Sequence, residues 1–259
     1  MRICVLGSGS GGNSTFIATG KTGILVDLGF GVRSLARRMR EAGIPNHPID
    51  AILITHGHID HVSGVLAFAS LRGIPVFMND GTRQEVPLLG ESCCCEHFQS
   101  NRSFCFKDVE IHPFSVSHDA EDPVGFRFEA DGVTGAVGTD LGELSRSVLG
   151  RLERCNWLVL ESNHDELLLK QGSYPWNVKQ RVLGPRGHLS NQALSAFLSG
   201  DFDGHASDIF LAHLSRRNND PEVALRQAAG AISARFRDRN SPTRLHLTHQ
   251  SKPSIVLDL

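Results

Sequence analysis

The sequence predicts a mixed α/β protein, and three observations carry that expectation. Short apolar runs of strand length recur between glycine turns, and segments of helical period lie between those runs. The third is bulk: 259 residues with 40% apolar content suffice for one large compact domain, here expected to span 1–259.

The first half supplies apolar runs at 3–6, 16–18, 24–27, 51–55 and 76–78, each read as a buried strand. Helical periodicity covers 32–42, which stops at Gly43 before Pro45, and 61–71, which stops ahead of Gly73 and Pro75. The middle is richer in strands, at 103–106, 109–114, 125–130 and 134–138, followed by a helix over 144–152 and a strand over 157–160. Helices over 191–198 and 221–234 and strands over 208–212 and 244–248 close the chain. No internal repeat, low-complexity tract or linker interrupts this order, so both kinds of element belong to one architecture.

Composition excludes several classes. A net charge of -2 gives no global positive field for nucleic acid, so such binding requires a local basic surface. Arg33, Arg37, Arg38 and Arg40 could form one, as could Arg226, Arg235, Arg237, Arg239 and Arg244; the plain alternative is solvated helix faces. The start of the chain lacks the pattern of a secretory signal, and no apolar run approaches the ~20 residues of a membrane span. Cys93, Cys94 and Cys95 are adjacent, a poor disulfide framework, and a reduced, cytoplasmic protein is the expectation. That run reads as a variable loop or a strand edge, since zinc sites need spaced ligands.

Gly7-Ser8-Gly9-Ser10-Gly11-Gly12 satisfies G-x-G-x-x-G after a strand. Asn13 to Ile17 is β-prone, however, and offers no helix N-terminus to a pyrophosphate. The loop therefore reads as a hairpin turn with amides open to an anion, and no nucleotide cofactor is expected.

The chemistry concentrates in His56-Gly57-His58-Ile59-Asp60-His61, delivered by the strand 51–55. Three imidazoles and a carboxylate in six residues make a poor core segment, because buried polar groups need partners. They make a good metal site. Imidazole and carboxylate together suit Zn²⁺, Mn²⁺ or Fe²⁺. His56 and His58 alternate on an extended turn while Asp60 and His61 open the next helix, which points to two ions side by side.

This run resembles the H-x-H-x-D-H signature of the metallo-β-lactamase fold, and the resemblance continues along the chain. It implies an α/β, αββα sandwich of two mixed sheets flanked by helices. It also implies His56, His58 and His118 on one metal, Asp60, His61 and His213 on the other, and Asp140 between them. His112 competes with His118 but lies inside its strand ahead of Pro113, which favours His118. Gly187-His188-Leu189-Ser190-Asn191 and the strand end at Glu161 resemble elements of the phosphodiesterase branches, tRNase Z and RNase J among them. There the histidine donates a proton to the leaving oxygen, and a His188–Glu161 pair would orient it.

With Ser8 to Ser14, Glu161-Ser162-Asn163-His164-Asp165 and Leu214-Ser215-Arg216-Arg217-Asn218-Asn219, the whole chain resembles the YycJ-type bacterial hydrolases. That resemblance implies a dinuclear metal-dependent nuclease, 5′-to-3′ on DNA, with two divalent ions, zinc foremost. Asp60, His188 and Glu161 are then the catalytic candidates. Asn13, His164, Ser190, Ser215, Arg216 and Asn218 are candidates for touching substrate, with Arg217 able to grip a flanking phosphate. His164 reads equally as a residue that satisfies local backbone groups, and His246 and His249 read as structural. The same core could serve a small-molecule hydrolase of cyclic phosphodiesters, thioesters or lactones, and the near-neutral charge favours that rival.

Overall fold

The structure is a computed structural model that describes residues 1–236 and 243–259. In chain order the elements are β1 (Arg2–Gly7), β2 (Ser14–Ala18), β3 (Gly23–Val26), α1 (Val32–Glu41), β4 (Ala51–Leu53), α2 (Ile59–Val62), α3 (Val65–Arg72) and β5 (Val76–Met78). There follow α4 (Asp80–Glu85), α5 (Pro87–Ser92), β6 (Cys95–His97), β7 (Phe104–Phe106), β8 (Val109–Ser115), β9 (Val124–Ala130) and β10 (Val133–Gly138). The remainder is α6 (Arg146–Leu152), β11 (Trp157–Glu161), α7 (Glu166–Gln171), α8 (Trp176–Leu183), α9 (Asn191–Ser199), β12 (Asp208–Ala212), α10 (Pro221–Arg235), β13 (Arg244–Leu247) and β14 (Leu257–Asp258). Two compact units result, one of residues 1–115, 120–133 and 249–259, the other of 116–119 and 134–248.

The first unit holds a sheet of order β14-β1-β2-β3-β4-β5-β6 and the antiparallel ladder β7-β8-β9. Strands β1 to β5 are buried almost throughout, so they read as continuous apolar runs rather than alternating ones. Leu35 and Met39 of α1 and Phe68 of α3 join Leu6, Phe16, Leu25 and Ile52 in one apolar core. Phe77 of β5 stacks on Phe104 of β7 at 5.4 Å, and Phe98 meets Phe126 edge-on at 5.5 Å, which ties the ladder to the sheet. Strands β8 and β9 alternate inward and outward residues, as a half-covered ladder should.

In the second unit β10, β11, β12 and β13 run parallel in that order. Their C-terminal ends therefore lie along one edge, where side chains from the following loops converge. Ser145, Ser190 and Asp220 cap α6, α9 and α10 through backbone amides of the first turn.

The structure corrects three expectations. The helix expected over 61–71 is two, because Gly64 turns its amide to the Leu28 carbonyl at 2.9 Å, outside the helical ladder. A Cβ at Gly64 would also overlap the Phe30 carbonyl, so the break is a close approach of backbone to backbone. Arg38 is no part of a solvated basic face: it is 5% exposed, donates to the Leu6 carbonyl at 2.9 Å and lies over the Phe30 ring. The amides of the glycine loop are not open to an anion at Ser8, Gly9, Gly11, Gly12 or Asn13. They donate to the His249 carbonyl, Asn13 Oδ1, Gln250 Oε1, the Gly9 carbonyl and the Asp60 carbonyl respectively.

Of the second basic stretch, Arg237 and Arg239 lie outside the described residues. Arg235 donates to the Phe202 carbonyl, while Arg244 pairs with Asp208 at 2.8 Å. Cys95 opens the edge strand β6, so the cysteine run leads into a strand edge. Among the described residues no helix is long and apolar enough to cross a membrane.

Asp208 joins β12 to β13 by accepting from Arg244 and from His246, the latter at 2.7 Å. Burial pushes its carboxyl up, but hydrogen bonds from Arg244, His246 and Ser207 outweigh this and hold it below the usual range. A depressed carboxylate contributes stability that is present above its unfolded value of 3.8 and is lost as pH falls through the lower folded value. Asp208→Asn is expected to lower stability at neutral pH by about 1–3 kcal/mol and to flatten the loss below pH ~4. Denaturant unfolding across pH 2.5–7 (~0.5-unit steps) measures both.

Candidate functional site

In the first unit the site is built around a residue the sequence reading passed over. Asp27 follows β3 with a left-handed backbone, φ 60, and is buried. Its carboxylate accepts from the Thr55 amide at 2.9 Å, the Thr55 hydroxyl at 2.8 Å and His61 Nδ1 at 2.8 Å. A carboxylate on Nδ1 fixes the proton there and leaves the lone pair on Nε2. The signal for Asp27 was present: an apolar strand that ends in an acid must satisfy that acid somewhere.

His56, His58 and His61 gather on the short turn into α2. The His56 ring lies 4.5 Å from that of His58 and 4.1 Å from that of His61. Asn13 is buried beneath them, with Nδ2 2.9 Å from His61 Nε2 and 3.3 Å from Asp60 Oδ2. The packing here is backbone-close, since a Cβ at Gly29 would overlap the Asp60 carbonyl.

In the second unit Asp140 follows β10, Glu161 ends β11 and His213 follows β12, so the parallel register brings them to one edge. Glu161 is fully buried. Its Oε1 accepts from His188 Nδ1 at 2.8 Å and His213 Nδ1 at 2.9 Å, and its Oε2 from the Leu141 amide at 2.8 Å. Asp140 Oδ1 lies 3.6 Å from His188 Nδ1, 3.5 Å from His213 Nδ1 and 3.9 Å from His118 Nε2. His118 gives Nδ1 to the Gly187 carbonyl at 3.0 Å, which turns Nε2 toward Asp140. Asp140, Glu161, His188 and His213 offer ligand atoms all within 4.8 Å of one another.

Charge follows from this geometry. Burial drives the Glu161 carboxyl up, yet the charge and hydrogen bond of His188 and the hydrogen bond of His213 bring it well below the usual carboxylate range. Burial pushes His188 down, and Glu161 more than reverses this, so the imidazole is held above its ordinary value. His118, where burial outweighs the nearby carboxylates, is pushed down and stays neutral. The His188 side chain is 22% exposed against 5% for His213, so of these two imidazoles it is the one that solvent and a ligand can reach.

The other predicted residues fall beside this cluster. His164 is 1% exposed and burial carries its imidazole down to about 4; its Nδ1 meets Asn163 Oδ1 and its carbonyl accepts from Asn191. Ser190 caps α9 by accepting from Ala193 at 3.1 Å, and donates to Glu166. Ser215 accepts from the amides of Arg217 and Asn218, which folds the loop after His213 so that Asn218 is buried and Arg216 and Arg217 are exposed. His246 is bound to Asp208, away from this edge, as a structural residue.

Fold and donor sets together define a class, and the comparisons give it a name. The β-lactamase superfamily domain matches residues 22–197, and the chain belongs to that family. Exodeoxyribonuclease WalJ of Streptococcus pneumoniae is 36% identical over 228 residues, 86% of this chain and 85% of its own. Exodeoxyribonuclease YycJ of Bacillus anthracis is 30% identical over 259 residues, 99% of this chain and 98% of its own. Among solved structures, the metallo-β-lactamase fold protein YhfI from Bacillus subtilis superposes with a TM-score of 0.71 at 16% identity, covering 97% of this chain and 98% of that one. The short form of human tRNase Z gives 0.65 at 15%, covering 100% and 99%. These two show the fold, and with it the α/β metallo-β-lactamase class expected from the sequence.

Glu161→Gln removes the charge that raises His188 and leaves the burial that lowers it. In proton NMR of the metal-free protein His188 should then titrate at a lower pH than in the parent, since burial acts with one raising carboxylate fewer to oppose it. An unmoved titration would show that Glu161 does not set the charge of this imidazole.

Proposed function

We propose that the chain is a metal-dependent phosphodiester hydrolase acting on DNA as a 5′-to-3′ exonuclease. The observation that carries this reading is the His188–Glu161 pair at 2.8 Å, a buried carboxylate on Nδ1 of an imidazole reachable from solvent. It is supported by family membership and by two relatives at 36% and 30% identity that bear the name exodeoxyribonuclease.

The donor chemistry fits divalent ions. His61, His118 and His213 each commit Nδ1 to an oxygen of Asp27, Gly187 or Glu161, and so keep Nε2 as the lone-pair nitrogen. Following the family resemblance, His56, His58 and His118 would hold one ion, Asp60, His61 and His213 the other, and Asp140 both. When bound, such ions supply Lewis acidity toward a phosphoryl oxygen and a nucleophile at neutral pH. Zinc is the first choice for an imidazole-rich set, with Mn²⁺ or Fe²⁺ compatible.

The chain's own contribution is proton delivery and positioning. His188, charged through Glu161, presents Nε2–H to the departing sugar oxygen, and the proton passes as the P–O bond breaks. Glu161 keeps its negative charge throughout and prevents ring rotation. Arg216 and Arg217, held out by the Ser215 turn, serve as grips for flanking phosphates. On this reading Asn13, through its contacts with His61 and Asp60, serves to position those two side chains.

On this reading His188→Ala lowers turnover by roughly 10²–10⁴-fold while metal content, read by elemental analysis, stays at the parent's value. A loss of metal in that variant would instead make His188 a ligand. The assay is nucleotide release from a labelled DNA duplex beside hydrolysis of bis(p-nitrophenyl) phosphate, with Asp60→Ala as control. Hydrolysis of the small ester with the duplex untouched would move the function to a small cyclic phosphodiester or similar ester.

A further inference from the structure

A second group of metal-ligating side chains lies on the ladder of β8 and β9, outside the residues assigned to hydrolysis. The antiparallel register sets Glu110 directly opposite Glu129, and His112 opposite Arg127. Glu110 and His112 are two apart, so they share the outward face, while Val109 and Ile111 point into the core. Two carboxylates facing each other across a ladder are destabilising, and a cation between them offsets this. Arg127 meets part of that need, with Nε 2.9 Å from Glu129 Oε1.

The distances around His112 decide between an ionic cluster and a coordination site. His112 Nε2 lies 3.5 Å from Glu110 Oε1 and 3.8 Å from Glu129 Oε1, longer than a hydrogen bond. The nitrogen is buried from solvent and makes no hydrogen bond. Ligands at about 2.0–2.2 Å from a tetrahedral zinc ion stand about 3.3–3.6 Å from one another. The contact to Glu110 falls in that range, the contact to Glu129 is slightly wider, and the three ligand atoms lie within 4.8 Å of one another. A nitrogen and two oxygens spaced as the edges of a polyhedron, with nothing bonded between them, is the arrangement a cation would complete.

We propose that Glu110, His112 and Glu129 form an accessory divalent-cation site, taking Zn²⁺ or a similar borderline ion, with water filling the outer positions. Side-chain exposures of 48% for Glu110 and 40% for Glu129 leave a path for the ion and room for that water. Glu129 offers Oε1, an oxygen with lone pairs enough to accept from Arg127 Nε and to face the ion as well. The bound ion cross-links the two strands and offsets the repulsion built into the register.

The test is a difference in metal count on the full chain. Parent, His112→Gln and Glu110→Gln proteins are stripped with chelator, dialysed against buffered micromolar free Zn²⁺ and measured by plasma mass spectrometry. The parent should hold about one more zinc per chain than either variant. Zinc should also raise the parent's Tm by more than that of either variant, each measured against its own value in chelator. Equal counts in parent and variants would overturn the site and leave an ionic cluster. Because Glu110 is a surface side chain, its variant gives the answer even where His112→Gln disturbs packing. Failure of the proposed hydrolytic centre to take metal would lower every count equally and leave this difference intact.

Discussion

The second unit depends on one buried carboxylate. Glu161 sits at the end of β11 with no access to water, a position where an unpaired charge would be costly. Three donors pay for that burial: His188, His213 and the Leu141 amide. Each is fixed in return. The Leu141 amide draws in the loop that carries Asp140, His213 is held in one tautomer, and His188 gains both orientation and charge. Parallel pairing of β10, β11 and β12 makes this possible, since it is the common direction of the strands that lines up their final residues.

Asp27 plays the same part in the first unit with a different set of partners. It holds Thr55 by amide and hydroxyl, which fixes the chain just before His56, and it fixes the tautomer of His61. The glycine loop completes the frame from the other side, its amides spent on bracing Asn13 and the backbone at Asp60. What looks in sequence like a cradle for an anion is thus a device for holding a histidine turn in place.

The sequence showed most of this, for identifiable reasons. Long apolar runs such as 157–160 and 208–212 are buried on both faces, and burial writes itself into composition. The H-x-H-x-D-H run was conspicuous because no core tolerates it unpartnered. The helices α4, α5, α7 and α8 went unread: they have six to eight residues, too few for a period to emerge. The break at Gly64 and the burial of Arg38 came from contacts with Leu28, Phe30 and Leu6, residues distant in sequence, which no local pattern records. Asp27 was legible in principle, but a single acid at a strand end carries meaning only once its three partners are known.

Asp140 holds a left-handed backbone, φ 55, where glycine would sit without strain, and its carboxylate faces the like charge of Glu161. Both features weigh on the chain as it folds, before any cation is there to compensate. Against them stand the three imidazoles of His118, His188 and His213, each within 3.9 Å of the Asp140 carboxylate. The fold therefore carries at position 140 a residue that backbone strain alone would not choose, and a library sorted only for thermal survival would show how far those imidazoles offset it.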